Sequence, residues 1–84
     1  MYITPKILKV KALEGYQIEL EYETGEIKIY DMTELLNSCK AYQRLKDKEK
    51  FKKLKIFGLS IQWEDGEDIA PELLYENSVL KVSD

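Results

Sequence analysis

Three carboxylates, Asp65, Glu67 and Asp68, are crowded together in this chain, and Glu72 follows about one helical turn later. Acids so grouped can move a proton as general acid and base, or hold a divalent cation through their oxygens. The rest of the chain completes neither chemistry. It contains no histidine, and there is no EF-hand spacing and no distal ligand set. The local pattern is that of a turn feeding a helix: Asp65-Gly66 is a turn dipeptide, and Asp68 stands where its carboxylate can accept amides entering a helix at Pro71. Pro71 suits a first helical turn because its missing amide costs nothing there, and Glu72 complements the positive helix end. An enzyme built on Asp65, Asp68 and Glu72 is thus weighed and set aside; the expectation is structural acids, with no catalytic residue, metal or cofactor.

A second concentration is cationic: Arg44, Lys46, Lys48, Lys50, Lys52, Lys53 and Lys55. Residues 40 to 55 carry eight Lys or Arg against two acids, while residues 64 to 84 carry seven acids against Lys81 alone. Clustered cations neutralise phosphates, which makes nucleic acid one candidate partner. A net charge of −3, a single arginine and no recognition helix or RNA-binding aromatic motif argue against it. The two blocks can also attract each other within the fold, or offer differently charged faces to partners.

Cys39 has the cation Lys40 beside it but no histidine to activate it as in cysteine hydrolases, so it reads as a small buried apolar residue. The lone tryptophan, Trp63, can stack a ligand, yet in a chain this short it is better explained as a core anchor.

Eighty-four residues make one domain, 1–84, able to bury roughly 60 to 65% of its unfolded surface. A hydrophobic content of 44% with 35% charged residues describes a folded globule. One cysteine and no secretory pattern at the start point to a reducing, cytoplasmic setting. Nothing approaches the roughly 20 apolar residues that cross a bilayer.

Alternation supplies the elements. Leu8, Val10 and Ala12 alternate with Lys9 and Lys11, then Tyr16, Ile18, Leu20 and Tyr22 alternate with Gln17, Glu19, Glu21 and Glu23, and Ile27 and Ile29 continue the series. This predicts a three-stranded meander. A two-residue turn at Thr24 and Gly25 would set Tyr22 opposite Ile27, Leu20 opposite Ile29 and Glu21 opposite Lys28. A three-residue loop from Leu13 to Gly15 would set Val10 opposite Ile18, Leu8 opposite Leu20 and Lys9 opposite Glu19. Tyr30 then falls on the polar side. Asp31 and Glu34 form an Asp-x-x-Glu capping box ahead of a helix burying Leu35 and Leu36. Cys39, Tyr42 and Leu45 either continue that helix or start another near Ser38, and Asp47 caps a further one carrying Phe51 and Leu54. A second hairpin turns at Gly58 to Ser60 and returns through Ile61 and Trp63. A last helix starts at Pro71, packs through Leu73, Leu74 and Tyr75, and stops at Asn77; residues 76–84 are a short strand or a loose tail. The sum is a two-layer α+β domain: a three-stranded meander and a second hairpin form antiparallel sheet, with short helices packed on its apolar face and charge on the other.

Thr24-Gly25, Tyr30-Asp31, Leu45-Lys46-Asp47, Phe51, Trp63, Asp65-Gly66, Asp68 and Pro71 to Tyr75 follow one another in an order that resembles a bacterial family, domain of unknown function 2442. Glu64 departs from the pattern where proline commonly follows the tryptophan, and the link from Phe51 to Trp63 is shorter than usual. The resemblance implies a compact α+β domain with no agreed activity, in which Asp31, Trp63, Asp65, Gly66, Asp68, Pro71 and Tyr75 are structural. Some relatives sit beside a second small protein in an arrangement similar to toxin and antitoxin pairs. The expectation is a non-enzymatic interaction domain, the antitoxin-like half of a two-protein module, using the basic segment 44–55 or an open sheet edge. The alternative is a nucleic-acid-binding regulator using the same lysines.

Overall fold

A computed structural model describes residues 4–81. Strands β1 (Ile7–Leu13), β2 (Gln17–Tyr22) and β3 (Ile27–Asp31) form the expected meander, and helix α1 (Thr33–Ser38) follows. A 3₁₀ segment, Lys40–Lys46, leads to the one-turn helix α2 (Lys48–Phe51). Strands β4 (Lys55–Phe57) and β5 (Ser60–Gln62) make a separate hairpin, then come α3 (Pro71–Asn77) and β6 (Val79–Leu80). β6 returns to pair antiparallel with β3, so the main sheet runs β1-β2-β3-β6. Of the two alternatives for residues 76–84, the strand is the one formed at Val79–Leu80, while residues 82–84 lie outside the described region. The shortest dimension, 20 Å, suits one sheet and one layer of helices.

The core is where alternation placed most of it. Ile18, Leu20 and Tyr22 from β2 meet Leu36 of α1, Leu45, Phe51 of α2, Ile61 of β5, Trp63 and Leu74 of α3, all buried. At the start of α1, the Oδ1 of Asp31 accepts from the Thr33 amide at 2.9 Å. The Thr33 hydroxyl and amide hold the Asp31 carboxyl below its ordinary pKa. The return bond of a capping box, from Glu34, is not made among the described residues. The Asp47 carboxylate caps α2 as expected, accepting from the Glu49 amide at 3.0 Å.

Register is where sequence and structure part. Between β2 and β3, Leu20 faces Lys28 and Ile18 faces Tyr30, one residue away from the expected pairing. The cause is the turn. Thr24 does not readily adopt the left-handed conformation that both central residues of a two-residue type I′ turn require. The chain instead uses a three-residue loop, Glu23 to Gly25, closed by Tyr22 N–H donating to the Glu26 carbonyl at 2.9 Å, with Gly25 at φ +94°. One extra residue turns every side chain of β3 over. Tyr30 and Lys28 therefore point into the core, at 5% and 8% exposure, and Ile27 and Ile29 lie on the outer face.

The first hairpin has the expected loop length but one position later, Glu14 to Tyr16, so Val10 faces Leu20 and Ala12 faces Ile18. A two-residue shift preserves the face. A register irregularity between Ile7 and Lys9 then buries Ile7 in place of Leu8, which is exposed. Three smaller expectations also change: Ser60 is buried within β5 instead of in the turn, Cys39 is half-buried, and Ala70 precedes α3 as its N-cap with no side-chain cap bond, so Asp68 does not serve as one.

Candidate functional site

The basic segment runs from the 3₁₀ segment through α2 to the start of β4 and is tied to the rest of the molecule by two aromatic residues. Trp63, 1% exposed, donates its indole N–H to the Phe51 carbonyl at 2.8 Å and stacks on the Phe51 ring with centroids 6.0 Å apart. Tyr16 meets Phe51 edge-on at 5.4 Å and donates its hydroxyl to the Lys46 carbonyl. Tyr16 does this from φ +59°, a backbone region that a bulky residue adopts only when its surroundings hold it there. The first hairpin loop and the lysine segment are thus fastened at Tyr16.

The acidic turn closes against the same segment. Trp63 N–H donates to the Glu67 carbonyl at 2.8 Å and Gly66 N–H to the Trp63 carbonyl at 3.0 Å, with Gly66 at φ +99°. This repeats the Tyr22-to-Glu26 loop bond for bond. It brings Asp65 within 3.8 Å of both Arg44 and Lys50, and Glu64 within 3.6 Å of Lys53. The opposed charge blocks therefore face each other inside the fold. All the side chains in these pairs are substantially exposed, so each is worth roughly 0 to 1 kcal/mol.

Four members of the predicted contact set remain. Lys46, Lys48, Lys52 and Lys55 are exposed and make no ion pair among the described residues. Lys48, which opens α2, and Lys52, just past its end, flank a depression of about 500 Å³ lined by the end of β1 and the Glu14–Tyr16 loop, and Lys46 borders the other side of Tyr16. Arg44, Lys50 and Lys53 lie beside them but face the acidic turn.

The other singled-out residues support the framework. The Asp68 carbonyl accepts from the Tyr42 hydroxyl at 2.8 Å, and Asp68 bridges to Gln62. Pro71 opens α3. Tyr75 donates its hydroxyl to Glu26 at 2.6 Å, packs edge-on against Tyr22 at 5.0 Å, and lies under the Lys28 ammonium at 3.9 Å. Lys28 also donates to the Tyr75 carbonyl at 2.6 Å. The alternation that hid Tyr30 hid this buried lysine too, since a three-residue loop at Thr24-Gly25 was the signal for both. Among the described residues no group of three or more His, Cys, Asp or Glu is placed to hold a metal ion.

A four-stranded antiparallel sheet roofed by short helices, with a second hairpin beside it, defines this as a small α+β domain. Over residues 7–79 the chain matches the family described as "Protein of unknown function (DUF2442)", and it belongs to that family. No curated protein and no solved structure matches it. No helix among the described residues is long and apolar enough to cross a membrane.

Proposed function

We propose that this chain is a non-catalytic, cytoplasmic protein-interaction domain, the binding half of a two-protein module, and that it engages its partner through Lys46, Lys48, Lys52 and Lys55. The reading is supported by one observation above others: the acidic turn pairs with Arg44, Lys50 and Lys53 but leaves the four other cations without an ion pair among the described residues, three of them, Lys46, Lys48 and Lys52, beside a loop clamped by Tyr16. A rigid basic surface of this kind favours rapid, charge-steered encounter with an acidic protein surface.

The test is affinity capture from the native host with the wild-type chain and with a Lys48→Glu, Lys52→Glu double variant whose thermal melt matches wild type. A stoichiometric protein retained by the first and lost by the second is the expected result. Equal retention by both removes the lysine surface from the proposal. The second reading, a nucleic-acid-binding regulator, draws on the same four cations. It requires binding to duplex DNA or RNA that weakens steeply from low to physiological salt. The net negative charge ranks it second.

A further inference from the structure

A groove of about 590 Å³ shares no lining residue with the lysine surface. It opens at the Val79 end of β6: Val79 pairs with Ile29, but among the described residues no strand pairs with Tyr30 and Asp31 on that side. Helices α1 and α3 form its other walls. Its floor is aliphatic, made by Ile29, Leu35, Leu73 and Val79, and Leu73 and Val79 are 40% and 69% exposed. Its rim carries the carboxylates of Asp31 and Glu34, and among the described residues no Lys or Arg lines it.

Those two acids differ from several others in the chain. Asp65, Glu64 and Glu19 each have a cation of this chain within 4 Å, whereas Asp31 and Glu34 make no ion pair among the described residues. Asp31 is also held in place, since its Oδ1 accepts from the Thr33 amide at 2.9 Å. Backbone groups are available as well. Lys81 N–H donates to the Ile27 carbonyl, so by the alternation of an antiparallel ladder the N–H and C=O of Asp31 point to that same side, past the end of β6.

We propose that this groove docks an extended basic segment of a partner protein, which lays an aliphatic side chain on the floor, sets Lys or Arg against Asp31 and Glu34, and adds to the β3 edge. Charge complementarity selects the occupant: carboxylates over an apolar floor repel nucleic acid and anionic lipid and favour a cationic, partly apolar peptide. The groove does not depend on the lysine surface, and either can fail without the other.

The experiment is a titration of the ¹⁵N-labelled chain with an alternating lysine–leucine hexapeptide and with its glutamate–leucine counterpart, followed by amide shifts. The expected result is that the basic peptide alone moves Asp31, Glu34, Leu73 and Val79, with Glu34→Lys and Leu73→Ala each weakening it by about tenfold. A Lys48→Ala, Lys52→Ala variant should bind it unchanged. Equal binding of both peptides would overturn the proposal, as would shifts confined to the Glu64–Glu67 turn. So would groove shifts that appear on concentrating the chain without peptide, which would make a second copy the occupant. Melts of both groove variants confirm that any loss reflects docking and not unfolding.

Discussion

Trp63 and Tyr75 show how single side chains organise this domain. Replacing Trp63 with Phe keeps an aromatic ring against Phe51 but strips the Phe51 carbonyl of its donor and leaves a small void. A loss of about 1 to 3 kcal/mol is expected, read as a lower urea midpoint at unchanged slope. Tyr75 acts through charge. Its hydroxyl, and then that of Thr24, hold the Glu26 carboxyl below its ordinary pKa, as Thr33 does for Asp31. Because both folded values are depressed, the stability they contribute is complete above the ordinary carboxylate range, about pH 4, and is lost as pH falls through the lowered values. Tyr75→Phe should raise the Glu26 pKa toward normal and flatten the acid limb of the stability profile, while Asp31 titrates as before. Carboxyl carbon shifts against pH would show it, and an unmoved Glu26 would contradict the assignment.

At the level of elements, loop length proved harder to foresee than element type. Hydrophobic alternation sufficed to place β1, β2 and β3, and proline and asparagine bracketed α3 at both ends. Register was not legible in the same way, because the pattern Ile27, Ile29 on β3 offered an apolar face that tertiary structure declined. The buried face instead uses Lys28 and Tyr30, and Lys28 is tolerated only because α3 brings the Tyr75 carbonyl and ring to its ammonium. Local pattern carries no record of a partner 47 residues away. The twin loops ending in Gly25 and Gly66 are the decisive devices. A Cβ at either glycine would meet nothing within 4 Å, so Gly25→Ala and Gly66→Ala isolate the backbone cost of a positive φ. Each should lower stability by about 1 to 2 kcal/mol in chemical denaturation. Near-neutral outcomes would mean that the loops relax to another turn.

Over the whole molecule, charge is distributed so that a negative chain keeps a positive face. The segregation of basic and acidic blocks was plain in the sequence; what it left open was whether they would meet. They meet in part, through Asp65 and Glu64, and the remaining lysines are the portion of the predicted contact set that makes no ion pair among the described residues. The groove beside β3 was illegible, because Ile29, Glu34, Leu73 and Val79 converge only once β6 has returned across the chain. Asp65→Asn should change stability by less than about 1 kcal/mol, since its pairs are solvent-exposed. It should at the same time release Arg44 and Lys50, and elution from a sulfonate resin should shift to higher salt. A large fall in melting temperature would instead make the acidic turn a structural fastener.

The bonds that satisfy Lys28 come from α3, and β6 covers β3, so the meander depends on residues that the ribosome makes well after it. A nascent chain arrested before Pro71 would hold an ammonium group among hydrocarbon side chains with nothing to receive its protons. Such an intermediate has reason to stay loose, and translation must run nearly to the end of the domain before the sheet can lock.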